Sequence, residues 1–196
     1  ETSLIVHWLT PNFGRLATVA KGARRAKSPF RGKLDLFYQA DFSFARSQRS
    51  ELHNLREVAL RDSRAALRRE LGYLEQASYA AALIEQTTVL DTPLPGILQL
   101  MREFLDTLPR HAPQPQMIFA LEMKLLAELG LEPELSDTRL SAGASEVLNH
   151  LRSKDWPTVT MVKPSSTQMT ELRQFLHGFL IYHLGKLPAN RASLFR

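Results

Sequence analysis

Hydrophobic positions recur with a period of two over roughly the first sixty residues and with a period of 3.6 thereafter. Leu4-Ile5-Val6-His7-Trp8-Leu9 is a short β-branched and aromatic run, Pro11-Asn12-Phe13-Gly14 supplies turn residues, and Leu16 to Ala20 is a second run. Together they predict a hairpin. Farther on, Leu34, Leu36, Tyr38, Ala40, Phe42 and Phe44 alternate with Lys33, Asp35, Gln39, Asp41 and Ser43. That alternation, with Phe37 as its exception, predicts one long strand with a wet face. Leu52 to Leu60 is a further strand candidate whose spacing also suits a helix. Four or five antiparallel strands in so short a stretch predict a small barrel.

From Asp62 the helical period takes over. Leu67, Leu71, Leu74, Ser78, Ala81 and Ile84 line one side of a long alanine-rich helix, and Ile97, Met101, Phe104, Leu105 and Leu108 line a second that stops at Pro109. Ile118, Leu121, Leu125 and Leu129 line a third, ending at Gly130, a residue suited to a helix C-terminus. The last helix starts near Ser166 or Thr167 and carries Leu172, Phe175, Leu176, Phe179, Leu180 and Leu184 before Gly185. Between Glu132 and Ser165 the pattern is irregular, with a short helix expected from about Ser145 to Ser153. Leu90-Asp91-Thr92-Pro93 reads as a helix start with proline at the first helical position, not as an aspartic catalytic motif. The expected architecture is α+β, with a small antiparallel β-barrel over residues 1–61 and an α-helical domain over residues 62–196.

Charge separates the two parts further. Residues 1–61 hold 11 Lys/Arg against 5 Asp/Glu, whereas residues 62–196 hold 14 against 15. Most of the excess lies between Arg15 and Lys33, where Arg15, Lys21, Arg24, Arg25, Lys27, Arg31 and Lys33 stand with no acidic residue among them. A phosphate backbone repeats its charge every few ångströms, so several cations on one loop each release a condensed counterion and the gains add. Nucleic acid is the expected ligand, and a merely solubilising surface is the plain alternative. Unstacked bases would call for an aromatic surface as well. Phe30 sits inside the basic stretch, and Phe37, on the polar face of the expected strand, either stacks on a base or packs under the helical part; Tyr38, Phe42 and Phe44 read as core.

The usual enzyme signatures are missing: there is no G-x-x-x-x-G-K-[ST], G-x-G-x-x-G, G-x-S-x-G or H-E-x-x-H. With no cysteine there is no disulfide framework, thiolate zinc site or cysteine nucleophile, which fits a reducing compartment. His177 and His183 lie six apart on one helix and do not share a face, and His7, His53, His111 and His150 are scattered. Glu132, Glu134 and Asp137 form a small acidic group that reads as solvated. No run of eighteen apolar residues and no signal-peptide pattern is visible, so a soluble cytoplasmic protein is expected. The chain opens on Glu1 without a methionine, and a few residues are expected to precede it.

Glu1-Thr2-Ser3-Leu4-Ile5-Val6, Leu9-Thr10, Gly14-Arg15 and Val19-Ala20-Lys21-Gly22-Ala23-Arg24-Arg25 resemble the opening of the bacterial RecO family, where a turn leads into an A-K-G-x-R run. The stretch from Phe119 to Leu131, with Glu122 and Gly130, resembles that family's F-E-L-x-L-L-x-x-L-G-Y element, and the likeness extends over nearly the whole chain. The resemblance implies an N-terminal OB-fold, a helical bundle and binding to single- and double-stranded DNA. It also implies annealing of complementary strands, partnership with RecR and with the acidic tail of single-stranded-DNA-binding protein, and nucleoid association. It implies no bond-breaking chemistry and no cofactor. Carried over by position, the A-K-G-x-R run puts DNA contact on Lys21, Arg24 and Arg25, with Arg15, Lys27, Arg31 and Lys33 added by charge and Phe37 by its ring.

Two departures from the family pattern stand out. Many relatives carry a four-cysteine zinc module after the L-G-Y element, whereas the stretch after Gly130 is short and cysteine-free, so no zinc is expected. Some carry arginines just ahead of the F-E-L run, where Phe119 and Ala120 stand here; Lys124, Arg110 or Arg173 could substitute. The expected function is that of a non-enzymatic recombination mediator. The competing readings are an OB-type RNA-binding or ribosome-associated module, which suits the same cations, and a small hydrolase or nuclease, against which the missing carboxylate clusters argue.

Overall fold

The computed structural model describes residues 2–135 and 138–195 and divides the chain into two compact units. The first comprises residues 1–66 with 88–98, and the second comprises residues 67–87 with 99–196. The single change expected at residues 61/62 thus becomes a first unit that runs to Ala66 and takes back Thr88–Leu98.

Four strands build the first unit: β1 (Leu4–Thr10), β2 (Gly14–Ala20), β3 (Gln39–Ala45) and β4 (Leu52–Asp62), in the spatial order β1-β2-β4-β3. β1 and β2 form the expected hairpin, paired from Leu4↔Ala20 to Thr10↔Gly14. β3 and β4 are also antiparallel, but β2 and β4 pair in parallel over Ala17↔Leu52 to Val19↔Asn54, which corrects the all-antiparallel expectation. Among the described residues no hydrogen-bonded ladder joins β1 to β3, so the sheet is open where a barrel was expected. It curls nonetheless. Trp8 on β1 and Phe42 on β3 stack with ring centroids 4.0 Å apart and planes 16° apart, so rings rather than a ladder bring the edge strands together. Two register shifts add to the curl: Phe44 pairs with Leu55 after Ser43 pairs with Glu57, and Ala40 pairs with Leu60 after Gln39 pairs with Asp62. Arg56 and Arg61 are the extra residues of these bulges, which increase local twist. The inner face holds Ala20, Phe30, Leu55 and Val58, with Leu4, Val6, Trp8, Ala23, Leu34, Ala40 and Phe42 packed against them.

The long strand of this sheet is β4, the segment whose spacing had left helix and strand open. The alternating stretch expected to start at Lys33 enters the sheet only at Gln39. Its first half is interrupted by a turn, in which Tyr38 N donates to Asp35 O at 3.4 Å and Phe37 has φ +64°. A residue with positive φ cannot continue a pleated ladder.

In the second unit α3 (Gln116–Glu128) is the central element, packed by α1 (Leu71–Thr87), α4 (Ala142–Ser153), α5 (Trp156–Met161) and α6 (Ser166–Leu184). Every residue from Met117 to Met123 is buried, so α3 lacks a wet face in its first half. The stripe expected on α1 is rotated. Leu71 is 71% exposed, whereas Tyr73, Ala77, Ala80 and Leu83 are buried. α2 (Pro95–Thr107) buries Ile97, Met101, Phe104 and Leu105 as expected, but it starts two residues after Pro93. Leu90 instead bridges Arg15 within the first unit, and Asp91 takes φ +54°. Side chains cap the late helices: Ser141 accepts from Ala144 N, Asp155 accepts from Thr158 N, and Ser165 and Gln168 form a reciprocal capping box. No helix among the described residues is long and apolar enough to cross a membrane.

Candidate nucleic-acid interface

The cationic stretch between β2 and β3 is neither strand nor helix but a succession of tight turns. Ala23 N donates to Ala20 O at 3.3 Å, Arg25 N to Gly22 O at 3.0 Å and Ser28 N to Arg25 O at 3.0 Å. Arg31 N then donates to Ser28 O at 3.2 Å and Lys33 N to Phe30 O at 3.0 Å. The sequence supports these turns locally. Gly22 and Gly32 take φ +68° and +71°, values that cost glycine little, and Ser28 Oγ accepts from Phe30 N at 3.2 Å. Arg24 N donates to Thr2 O at 2.9 Å, fastening the first turn to the lead-in of β1.

Apolar side chains hold the loop down and charged ones leave it. Phe30 is 7% exposed and belongs to the core of the sheet, while Ala23 and Leu34 pack on that core from either side of it in sequence. Lys21, Arg24, Arg25, Lys27, Arg31 and Lys33 are all exposed. Among the described residues no carboxylate engages any of the six. The Arg31 guanidinium donates from Nη1 to Ala26 O at 3.3 Å, and a Cβ at Gly22 would lie 3.3 Å from Arg25 Cδ, so the Arg25 stem crosses the turn at Gly22. The loop therefore presents six cations on a backbone fixed by turns and a buried ring, a surface suited to a chain of phosphates.

Three residues weighed for this surface are placed otherwise than expected. Arg15 lies on β2, half-buried, and its guanidinium donates from Nε to Thr88 Oγ1 at 2.8 Å and from Nη2 to Thr88 O at 2.7 Å. Phe30, expected as an aromatic surface for bases, is the core anchor of the loop, because a ring flanked by Ala23 and Leu34 gains more from the sheet interior than from water. Phe37 is half-buried and lies in the Asp35–Tyr38 turn rather than on a strand face. Holding a phenylalanine at φ +64° costs about 1 kcal/mol or more. Arg64, itself at φ +44°, donates to Phe37 O at 3.2 Å and so braces the strained residue. Leu36, one position earlier, is 63% exposed.

Some features had no sequence signal. Arg56, exposed, is the extra residue of a bulge, and the bulge depends on the register of β3 against β4. Trp8, Phe42, Phe44 and His53 form a continuous row of rings, with Phe42 and Phe44 at 5.9 Å and Phe44 stacked on His53 at 5.2 Å. The sequence marked Phe42 and Phe44 as core, but not Trp8 or His53, nor the contact among the four. Elsewhere, Glu132 pairs with Arg152 at 3.3 Å, while Asp137 lies outside the described residues. Among the described residues no group of three or more His, Cys, Asp or Glu side chains is placed to hold a metal ion.

The chain is thus an α+β protein with its excess charge gathered on one loop of its sheet unit. Two family models match successive stretches of the chain. Residues 1–64 match the family model described as recombination protein O N terminal, and residues 68–139 match recombination protein O C terminal. Over 135 residues, 69% of this chain, it is 30% identical to "DNA repair protein RecO" of Anaeromyxobacter sp. (strain K), covering 53% of that protein. It is 27% identical to the protein of the same name from Syntrophus aciditrophicus (strain SB), with 69% and 52% covered. Against that of Bacillus subtilis (strain 168) the identity is 29%, again with 69% and 52% covered. The chain belongs to the recombination protein O family. It spans about half the length of the curated relatives it matches.

Proposed function

We propose that this protein is a DNA-binding mediator of recombinational repair that grips the sugar-phosphate backbone through the loop between β2 and β3. The observation that carries the reading is the set of six exposed cations, Lys21, Arg24, Arg25, Lys27, Arg31 and Lys33, none engaged by a carboxylate among the described residues. The printed name of the relatives, DNA repair protein RecO, supports DNA as the polymer. Backbone contacts leave base edges open, so two strands held this way can still find their complements. The protein on this reading binds single and double strands, anneals complementary strands and helps load recombinase onto DNA coated by single-stranded-DNA-binding protein, with RecR and that protein's acidic tail as partners. Arg15 on this account positions the sheet rather than touching DNA.

The test is a strand-annealing assay with complementary oligonucleotides, comparing wild type with Lys21→Ala/Arg24→Ala/Arg25→Ala, and with RNA of matching sequence as competitor. The triple variant is expected to anneal about tenfold more slowly or worse at moderate salt, and DNA to compete better than RNA. Equal rates for the two proteins would remove the site assignment, and stronger competition by RNA would favour the RNA-binding alternative.

A further inference from the structure

Resting on that reading, we infer that the Asp35–Tyr38 turn is an apolar wedge that caps the open end of a base stack, so that the preferred substrate is DNA with a junction between single and double strands. Phosphate binding alone needs cations and no apolar tip. Yet the cationic loop ends, two residues after the last cation at Lys33, in Asp35-Leu36-Phe37-Tyr38, whose second side chain is 63% exposed. This leucine is exposed directly beside a highly charged segment, where an apolar ligand surface could cover it. Its position is nevertheless set firmly. Asp35 Oδ1 accepts from Leu36 N at 2.8 Å, and Tyr38 N donates to Asp35 O at 3.4 Å to close the turn.

The third residue of the turn reinforces the point. Positive φ at that position favours glycine, and this sequence places glycine at Gly22 and Gly32 earlier in the same loop. At the wedge it places Phe37 instead, with φ +64°, and commits the Arg64 guanidinium to Phe37 O at 3.2 Å and to Gln39 Oε1 at 3.5 Å. Strain retained at one residue and braced by a side chain 27 positions away marks a turn whose side chains are worth holding in place. Leucine and phenylalanine are the side chains that proteins insert between or against base steps, and the stack ends only where a duplex opens or stops. The flanking cations would track the phosphates of the single strand while Leu36, with the half-buried Phe37 behind it, covers the last base pair.

The experiment uses the full chain and three DNAs of equal length: a single strand, a blunt duplex and a tailed duplex carrying 2-aminopurine at the last paired position. The wild type is expected to bind the tailed duplex at least about fivefold more tightly than the single strand, the lower end of what one stacking contact supplies, and to change the 2-aminopurine fluorescence. Leu36→Ser and, separately, Phe37→Gly should abolish the fluorescence change and the preference while leaving the salt dependence of single-strand binding unaltered. Retention of both signals by Leu36→Ser and Phe37→Gly overturns the wedge and leaves backbone binding standing. If instead Lys21→Ala/Arg24→Ala/Arg25→Ala binds all three DNAs like wild type, the underlying reading fails and the wedge with it.

Discussion

Arg15 and Thr88 are locked together by two hydrogen bonds, Nε to Oγ1 at 2.8 Å and Nη2 to the carbonyl at 2.7 Å, across 73 positions of sequence. The contact closes the open side of β2 beyond its pairing with β4: Asp91 N donates to Arg15 O at 2.8 Å, and Leu90 continues the edge as a parallel bridge. Arg15→Ala should therefore destabilise the first unit by about 1 to 3 kcal/mol in urea unfolding, since the Thr88 groups lose partners in a half-buried setting. The slope of DNA affinity against salt should not change. A slope reduced as much as by Lys21→Ala would return Arg15 to the interface.

Gly14 makes the same junction possible. Its φ is +62°, and a Cβ built there would stand 1.8 Å from Thr92 O. Gly32 has nearly the same backbone conformation, φ +71°, with nothing within 4 Å of a Cβ. Gly14→Ala should cost more than about 3 kcal/mol because backbone must move, and Gly32→Ala only about 1 kcal/mol for the strained φ. Chemical denaturation of the two variants side by side checks this, and similar costs for both would contradict the close approach.

Phe30 tests how the loop is held. Phe30→Ala should cost roughly 3 to 5 kcal/mol, as removal of a buried ring from a packed core does. Phe30→Leu should cost far less and keep DNA affinity, whereas loss of affinity in a well-folded Phe30→Leu would restore the ring to the binding surface.

In the second unit Glu122, fully buried on α3, accepts from Arg191 Nε at 2.6 Å and Nη2 at 2.9 Å and from the Tyr79 hydroxyl at 2.5 Å. Glu122→Gln should cost roughly 3 to 5 kcal/mol by leaving a buried guanidinium without its counter-charge, and Glu122→Met with Arg191→Met should cost less than that single change. Burial first, and then the Glu122 charge, push the Tyr79 phenol far above its ordinary range. The unfolded chain releases that proton above about pH 10 while the folded one keeps it. Stability should accordingly fall as pH rises past about 10, and thermal unfolding of Tyr79→Phe should show a shallower fall. Parallel curves for the two proteins would contradict the arrangement.

How much of this was legible depended on whether the signal was local. The hairpin from Leu4 to Ala20 was, because two β-prone apolar runs and the Pro11-to-Gly14 turn agree. The cationic loop was, because charge needs no partner to be seen. The Asp35–Tyr38 turn was not: alternation ran through it unbroken, and only the aberrant Phe37 hinted at a change of direction. On α1 a helix short of large apolar residues, with alanines on several sides, gave the period but not the face. α5 carried a signal that went unread, Asp155 as N-cap with Pro157 in the first turn. Glu122 entered the sequence reading only as part of a family-like stretch, and its partner Arg191 lies 69 residues on, so only the fold brings them together. The contact of Arg15 was hidden for the same reason, since Thr88 gives no hint of its position.

The central claim is that the exposed cations of the loop from Lys21 to Lys33 grip phosphates. Its most direct measurement is the affinity for a single-stranded oligonucleotide across a range of salt concentrations. Four to six phosphate contacts predict a slope of about −3 to −4 for the logarithm of affinity against the logarithm of salt, made shallower by about 2 in Lys21→Ala/Arg24→Ala/Arg25→Ala. A slope near zero, or one that the triple variant shares with wild type, would contradict the account.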